Sequence, residues 1–418
     1  MSNHHLLPGK RFKRIAAVVP LLTTVLLITA CGGSGTAPAP SGLTNRAFIS
    51  NTYTGDLQIV DTQNDMTAYT AETTNSAGQV VPGAPVTVTV ATTVTFEVLS
   101  PDRNTTLVYD PSSFTLWTVA NSTETTSFSL ALGGASSMAV FSPDSDTVYA
   151  PVPSAPVSGL RAGLVQVWNV ASGANTANYT VAAARYVAIS PSGQYLLVFS
   201  DNSDSVTLID TTASTITYVA IPGFARPVNA FFSSDSNTAY VLNCGPECGS
   251  SGPASVAELS IPSQTVVATV PVGGASVGLL NGTTLYVAGS PVPPGTTSTF
   301  DAVNISTMTR LTANSVPIGD GFHTTMALAQ NQKLYIGASS CSDTTTGCLS
   351  VVNVSTDTAD SPLPPRGAIT SLLAISGRNV VYAVEGGYLN IYDTTTDTLQ
   401  STQITFTGAL YGIVQVDQ

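Results

Sequence analysis

The side chains best suited to recognition chemistry in this 418-residue sequence are a few cations in matching places. Arg185, Arg226, His323 and Arg366 each fall in a short segment that precedes an apolar strand, at Ala184-Arg185, Arg226-Pro227, His323-Thr324 and Arg366-Gly367. Sister segments at Ala135-Ser136, Ala275-Ser276 and Ala409-Leu410 carry no charge. An arginine fork holds a carboxylate or phosphate through two parallel hydrogen bonds. Brought together, these residues would make a cationic ring and a pocket for an anionic ligand, such as a sugar acid or a peptide carboxylate. The opposing reading is that each pairs with an acidic neighbour and merely holds its loop.

Other chemistries have less support. His323 is the only histidine after residue 5, which excludes a multi-histidine metal centre and makes any Ser–His nucleophile depend on it alone. No Gly-rich phosphate loop, HExxH or Gly-x-Ser-x-Gly elbow is present. Glu97, Glu258 and Glu385 could be imagined around a metal, but they fall at unmatched places in the sequence. Trp117 and Trp168 lie in apolar strands and are expected in the core. No cofactor or metal is therefore expected. Cys244 with Cys248, and Cys341 with Cys348, follow apolar strands at residues 239–242 and 334–338. Two loop disulfides are expected, as an oxidising compartment allows. A four-thiolate zinc site is the alternative, though the spacings do not match a zinc ribbon.

The first thirty residues have the pattern of a cleaved secretory leader. Lys10, Arg11, Lys13 and Arg14 precede an apolar run at residues 15–30, which Pro20 interrupts. The tetrad Ile28-Thr29-Ala30-Cys31 resembles the bacterial lipobox, which implies that Cys31 is acylated. Residues 31–42 read as a Gly/Ser/Pro/Ala tether. The expected location is the cell envelope, with the lipid in the outer membrane or at the cell surface. Without the leader, nine basic residues face 25 acidic ones, a formal net charge of −16. Such a surface argues against nucleic acid as a partner.

Residues 43–418 are rich in Thr, Ser, Val, Ala and Gly and show no sustained helical period. An apolar strand recurs with a marked residue, Phe48, Leu107, Tyr149, Leu197, Tyr240, Tyr286, Tyr335 and Tyr382, at intervals of 59, 42, 48, 43, 46, 49 and 47 residues. Another strand precedes it and ends in a turn such as Ser100-Pro101-Asp102, Ser142-Pro143-Asp144 or Ser190-Pro191-Ser192. A third strand follows, ending at Asp61-Thr62, Asp210-Thr211 or Asp393-Thr394, and then a Thr- or Val-rich fourth. Four antiparallel strands per unit make a propeller blade.

Ala47-Phe48-Ile49-Ser50-Asn51, Tyr240-Val241-Leu242-Asn243 and Tyr286-Val287-Ala288-Gly289, with the Ser-Pro-Asp turns, resemble the YVTN repeats, relatives of WD-repeat and quinoprotein-like propellers. The resemblance implies an all-β, eight-bladed β-propeller of four-stranded antiparallel blades. Residues 410–416 read as the missing inner strand that closes the ring. Seven blades is the alternative if residues 67–98 are an excursion within one blade. Some related propellers are lactonases that use Glu, Asn and Asp around a metal. The expected function is a surface-tethered, monomeric binding or interaction module for an anionic small molecule, glycan or protein, with a lactonase-like hydrolase as the rival.

Overall fold

Short runs of alternating apolar and polar residues, cut by Ser-, Asp- and Gly-containing turns, fold into strands almost throughout. The computed structural model describes residues 41–417, apart from residues 71, 82, 214, 292–297, 342–347, 361–362, 364–365, 401–403, 405 and 407–408. The leader, Cys31 and residues 32–40 of the tether lie outside the described residues.

Eight antiparallel sheets of four or five strands follow one another along the chain as the blades of a β-propeller. The second strands of blades 1 to 8 are Arg46–Asn51, Thr105–Asp110, Thr147–Val152, Tyr195–Ser200, Thr238–Asn243, Thr284–Gly289, Lys333–Ser340 and Val380–Glu385. The eight marked residues fall on these strands, one in each, and every one is buried. Residues 67–98 prove to be largely an excursion within blade 1, and the count is still eight. There the fourth strand is split into Met66–Thr67 and Thr87–Thr89, both paired with Asp56–Asp61. A small hairpin, Thr73–Thr74 with Val80–Val81, is inserted between the halves. This insertion explains why the first repeat interval is the longest.

Each blade buries its faces against its neighbours. Eight hydrophobic clusters occur, and each draws residues from two adjacent blades. Eight joints for eight blades mean that the ring is closed. The closing element is Leu410–Gln415, which pairs antiparallel with Arg46–Asn51 in the register Ala47↔Gln415, Phe48↔Val414 and Ile49↔Ile413. Trp168 is buried at the joint of blades 2 and 3, and Trp117 packs at that of blades 1 and 2.

The Ser-Pro-Asp turns explain how inner strands reverse. In four of them the serine hydroxyl accepts the N–H five residues on: Thr105 to Ser100 (3.0 Å), Thr147 to Ser142 (2.9 Å), Tyr195 to Ser190 (3.0 Å) and Thr238 to Ser233 (3.0 Å). The turns also stitch blades together, since Ser145 Oγ accepts from Asp102 N and Ser236 Oγ from Ser192 N, both at 3.0 Å.

A second device joins neighbouring blades. Asp65, Glu124 and Asp397 sit at φ of 54°, 55° and 53° in the turns between third and fourth strands. Asp tolerates this left-handed region better than most residues. Each takes a cation from the preceding blade: Arg378 Nη2 donates to Asp65 (2.8 Å), Arg46 Nη1 to Glu124 (2.7 Å) and Lys333 Nζ to Asp397 (2.9 Å). Tyr382 and Tyr335, two of the marked residues, also donate their hydroxyls to Asp65 and Asp397. Asp397→Ala strands the Tyr335 hydroxyl and removes one of two acids from Lys333, which keeps Asp360. It is expected to cost about 1–3 kcal/mol in denaturant unfolding. A loss below about 0.5 kcal/mol would place the pair with ordinary surface ion pairs.

Candidate functional site

The site is built by bulges. At one end of the channel, five of the described inner strands carry an extra residue against the strand they pair with, offset in blade 7 by Ser339 on the partner strand. The extra residue is Arg185 in blade 4, Val228 in blade 5, Thr324 in blade 7 and Thr370 in blade 8. In blade 1 the shift falls at Tyr411-Gly412, opposite Ser50. A bulge interrupts the ladder and re-aims a side chain. Arg185, Val228, Thr324, Thr370 and Tyr411 all line a central cavity of about 600 Å³, to which all eight blades contribute. A second cavity of about 380 Å³ lies beside it, between blades 3 and 4, and the two share Ser137, Arg185 and Asp201.

The structure brings Arg185, Arg226 and His323 to the central cavity, and Arg366 is not among its walls. Nor are the four equivalent. Relative to the bulged position held by Arg185, His323 lies one residue earlier, Arg226 two and Arg366 four.

Their charges also differ. Arg185 is engaged in a two-pronged pair with Asp201, through Nε (2.9 Å) and Nη2 (2.9 Å). That hydrogen bond holds its guanidinium above the usual arginine range. His323 is 1% exposed and its Nδ1 has no hydrogen-bond partner. Burial depresses it to about 4, against the opposing field of Asp320, so it is neutral at physiological pH. Arg366 is exposed, and its charge acts on Glu385 and Tyr392. Arg226 has the fork that is least used. Its Nε is buried without a partner, and its nearest carboxylate, Asp204, is 4.0 Å from Nη1. The backbone N–H of Arg226 donates to the same Asp204 at 3.0 Å, which fixes the residue at φ 53°.

Both disulfides form, Cys244–Cys248 and Cys341–Cys348, with Cα–Cα distances of 5.6 and 5.4 Å. The zinc reading is thereby set aside, and an oxidising compartment is compatible with both bonds. The first closes the turn Gly245–Cys248 and places Cys248 on the cavity wall. Glu247 in that turn reaches blade 6, where it accepts the Ser290 N–H at 2.8 Å. Burial raises its carboxyl above the usual range. Nothing in the sequence singled out Glu247, because its role depends on the neighbouring blade.

The three carboxylates considered for metal chemistry are dispersed. Glu97 is on the inner strand of blade 2, Glu258 on the third strand of blade 5 and Glu385 at the end of the second strand of blade 8. Glu385 is buried and accepts hydrogen bonds from Asn390 (2.8 Å) and Tyr392 (2.7 Å). Among the described residues, no three His, Cys, Asp or Glu side chains gather in a way that could hold a metal ion.

Comparison with known proteins bears on the fold. No protein-family model matches this sequence, and no curated protein matches it. Solved structures do. The dihydro-haem d1 dehydrogenase NirN, solved with DHE, superposes with a TM-score of 0.64 at 11% identity, over 89% of this chain and 75% of that one. A functionally unknown protein from Desulfotomaculum acetoxidans gives 0.51 at 15% identity, over 76% and 94%. The β-propeller domain of Cps50 (Swd1) from Myceliophteria thermophila gives 0.50 at 9% identity, over 70% and 93%. The chain is a β-propeller. At these identities the likeness reaches no further than the fold.

Proposed function

We propose that this propeller is a binding module of the cell envelope, tethered through Cys31, that takes an anionic ligand at the bulged mouth of its channel. The observation that carries the reading is Arg226, a guanidinium on the cavity wall that, among the described residues, has no carboxylate closer than 4.0 Å. Its Nε is closed off from solvent, but the side chain is still 22% exposed, and its terminal amines can donate to a ligand carboxylate or phosphate. Arg185, already satisfied by Asp201, is a wall rather than an anchor, and neutral His323 offers a hydrogen bond rather than a charge. Thus one arginine, not a cationic ring, sets the preference for anions.

The two disulfides are consistent with an extracytoplasmic location, where the lipid on Cys31 and the tether would set the reach from the membrane. A strongly acidic surface around one anion site also disfavours bulk capture of polyanions such as nucleic acid.

The test is calorimetric titration of citrate and galacturonate into the protein and into Arg226→Ala. Binding is expected in the parent, with at least a tenfold loss in the variant. Arg226→Lys should restore it only in part, because lysine keeps the charge without the fork. Equal affinity in parent and Arg226→Ala would overturn the reading.

A further inference from the structure

We infer that the ligand is an acidic oligosaccharide, with one uronate carboxylate on Arg226 and a neighbouring sugar in the side cavity between blades 3 and 4. This rests on the anion-binding reading above and adds the ligand's chemical class and length.

Three observations converge. The first is a set of neutral polar groups on the lining that are unused. Ser137, shared by both cavities, and Ser200, Asn202 and Thr324 in the central one, make no side-chain hydrogen bond among the described residues. Hydroxyl and amide groups both donate and accept, as the hydroxyls of a sugar do. The second is the apolar complement. Phe96, Tyr186, Phe322 and Tyr411 share the central wall, and Phe96 is held in place by stacking on Tyr109 at 5.0 Å. Aromatic faces bury the C–H face of a ring while the polar groups take its hydroxyls.

The third is the continuity of the two cavities. Ser137, Arg185 and Asp201 wall both, so a chain starting at Arg226 passes the Arg185–Asp201 pair into the side cavity. That pair is about one-third exposed on each side and presents donors and acceptors to whatever crosses it. An extended peptide fits less well. Strand addition needs a continuous edge of free N–H and C=O groups, and at this mouth five inner strands are interrupted by bulges.

The experiment is titration of the full-length protein with galacturonate, tri-galacturonate, the neutral maltotriose, glutarate and tri-glutamate. Two variants accompany it: Arg226→Ala, and Ser154→Trp, which fills the side cavity from an exposed position. Each is first matched to the parent by thermal unfolding. Tri-galacturonate is expected to bind at least tenfold more tightly than galacturonate and than maltotriose. Ser154→Trp should remove the gain of trimer over monomer and leave galacturonate unchanged. Arg226→Ala should weaken both.

A trimer no tighter than the monomer, or a gain that survives Ser154→Trp, overturns the oligosaccharide. So does glutarate or tri-glutamate binding through Arg226 as tightly as the uronates, although the anion reading then stands. If no carboxylate binds, or Arg226→Ala changes nothing, both readings fall together.

Discussion

Deleting residues 410–418 is expected to abolish the cooperative unfolding transition of the propeller, not merely lower its midpoint. The segment removed is short, but it belongs to two joints at once. Leu410 and Ile413 are buried between blades 8 and 1, and Val416 between blades 1 and 2. Burial of side chains of this kind is worth about 1.5–3 kcal/mol each. Arg46 loses Asp417, to which Nε donates at 2.7 Å, and Arg103 of blade 2 loses the carbonyls of Gln415 and Val416. The second strand of blade 1, buried along its whole length, is left with an unpaired edge. Together these losses are on the order of the whole stability of a typical domain, about 5–15 kcal/mol. The measurement is melting followed by circular dichroism, with light scattering to detect association through the opened edge. A truncated chain that melts as a monomer within a few degrees of the parent would show that the ring does not need its closing strand.

That strand was readable in the sequence, and so was the blade pattern, for a common physical reason. Each blade repeats the same buried position, so Phe48, Leu107, Tyr149 and their equivalents are constrained in type and spacing by packing between neighbours. The serine turns repeat because a hydroxyl must meet the same backbone N–H each time. The site is different in kind. A one-residue bulge changes which side chain enters the channel without altering the apolar pattern around it. Aligning Arg226, His323 and Arg366 with Arg185 by sequence therefore misplaced them by two, one and four residues. The latches of Asp65 and Asp397 were half visible. Their turns are marked in the sequence by the preceding Asp61-Thr62 and Asp393-Thr394, but the acid that matters lies four residues after the first Asp, where the backbone turns left-handed. Its partner, Arg378 or Lys333, sits on another blade and leaves no local signal.

Two buried ionisable groups beside the channel should give the protein an unusual pH dependence of stability, with Glu97→Gln as the decisive variant. The Glu97 carboxyl occupies space that only a glycine at 412 leaves open, since a Cβ there would lie 1.6 Å from Oε2. No basic side chain pairs with it among the described residues. Burial raises it to about 8, against the smaller pull of Ser50, so the folded protein keeps a proton that the unfolded chain releases near 4.5. Stability from this group is therefore fully present below about pH 4.5 and falls as pH rises toward 8, by about 1.4 kcal/mol per unit. His323 acts in the opposite sense. Its folded value of about 4 lies below the ordinary 6.5, so stability falls as pH drops from 6.5 toward 4. Between 4.5 and 6.5 the slopes of Glu97 and His323 oppose each other, and above 6.5 that of Glu97 is no longer offset. The carboxyls of Glu247 and Glu385, also raised by burial, act in the same sense as Glu97. Urea unfolding at pH 5, 6.5 and 8 should show the parent little changed between the first two and about 2 kcal/mol weaker at the third. Glu97→Gln should remove most of the loss at pH 8 and uncover a decline toward pH 5 caused by His323. If the loss at pH 8 persists in Glu97→Gln, some other group retains the proton, and the wedge at Gly412 is not its source.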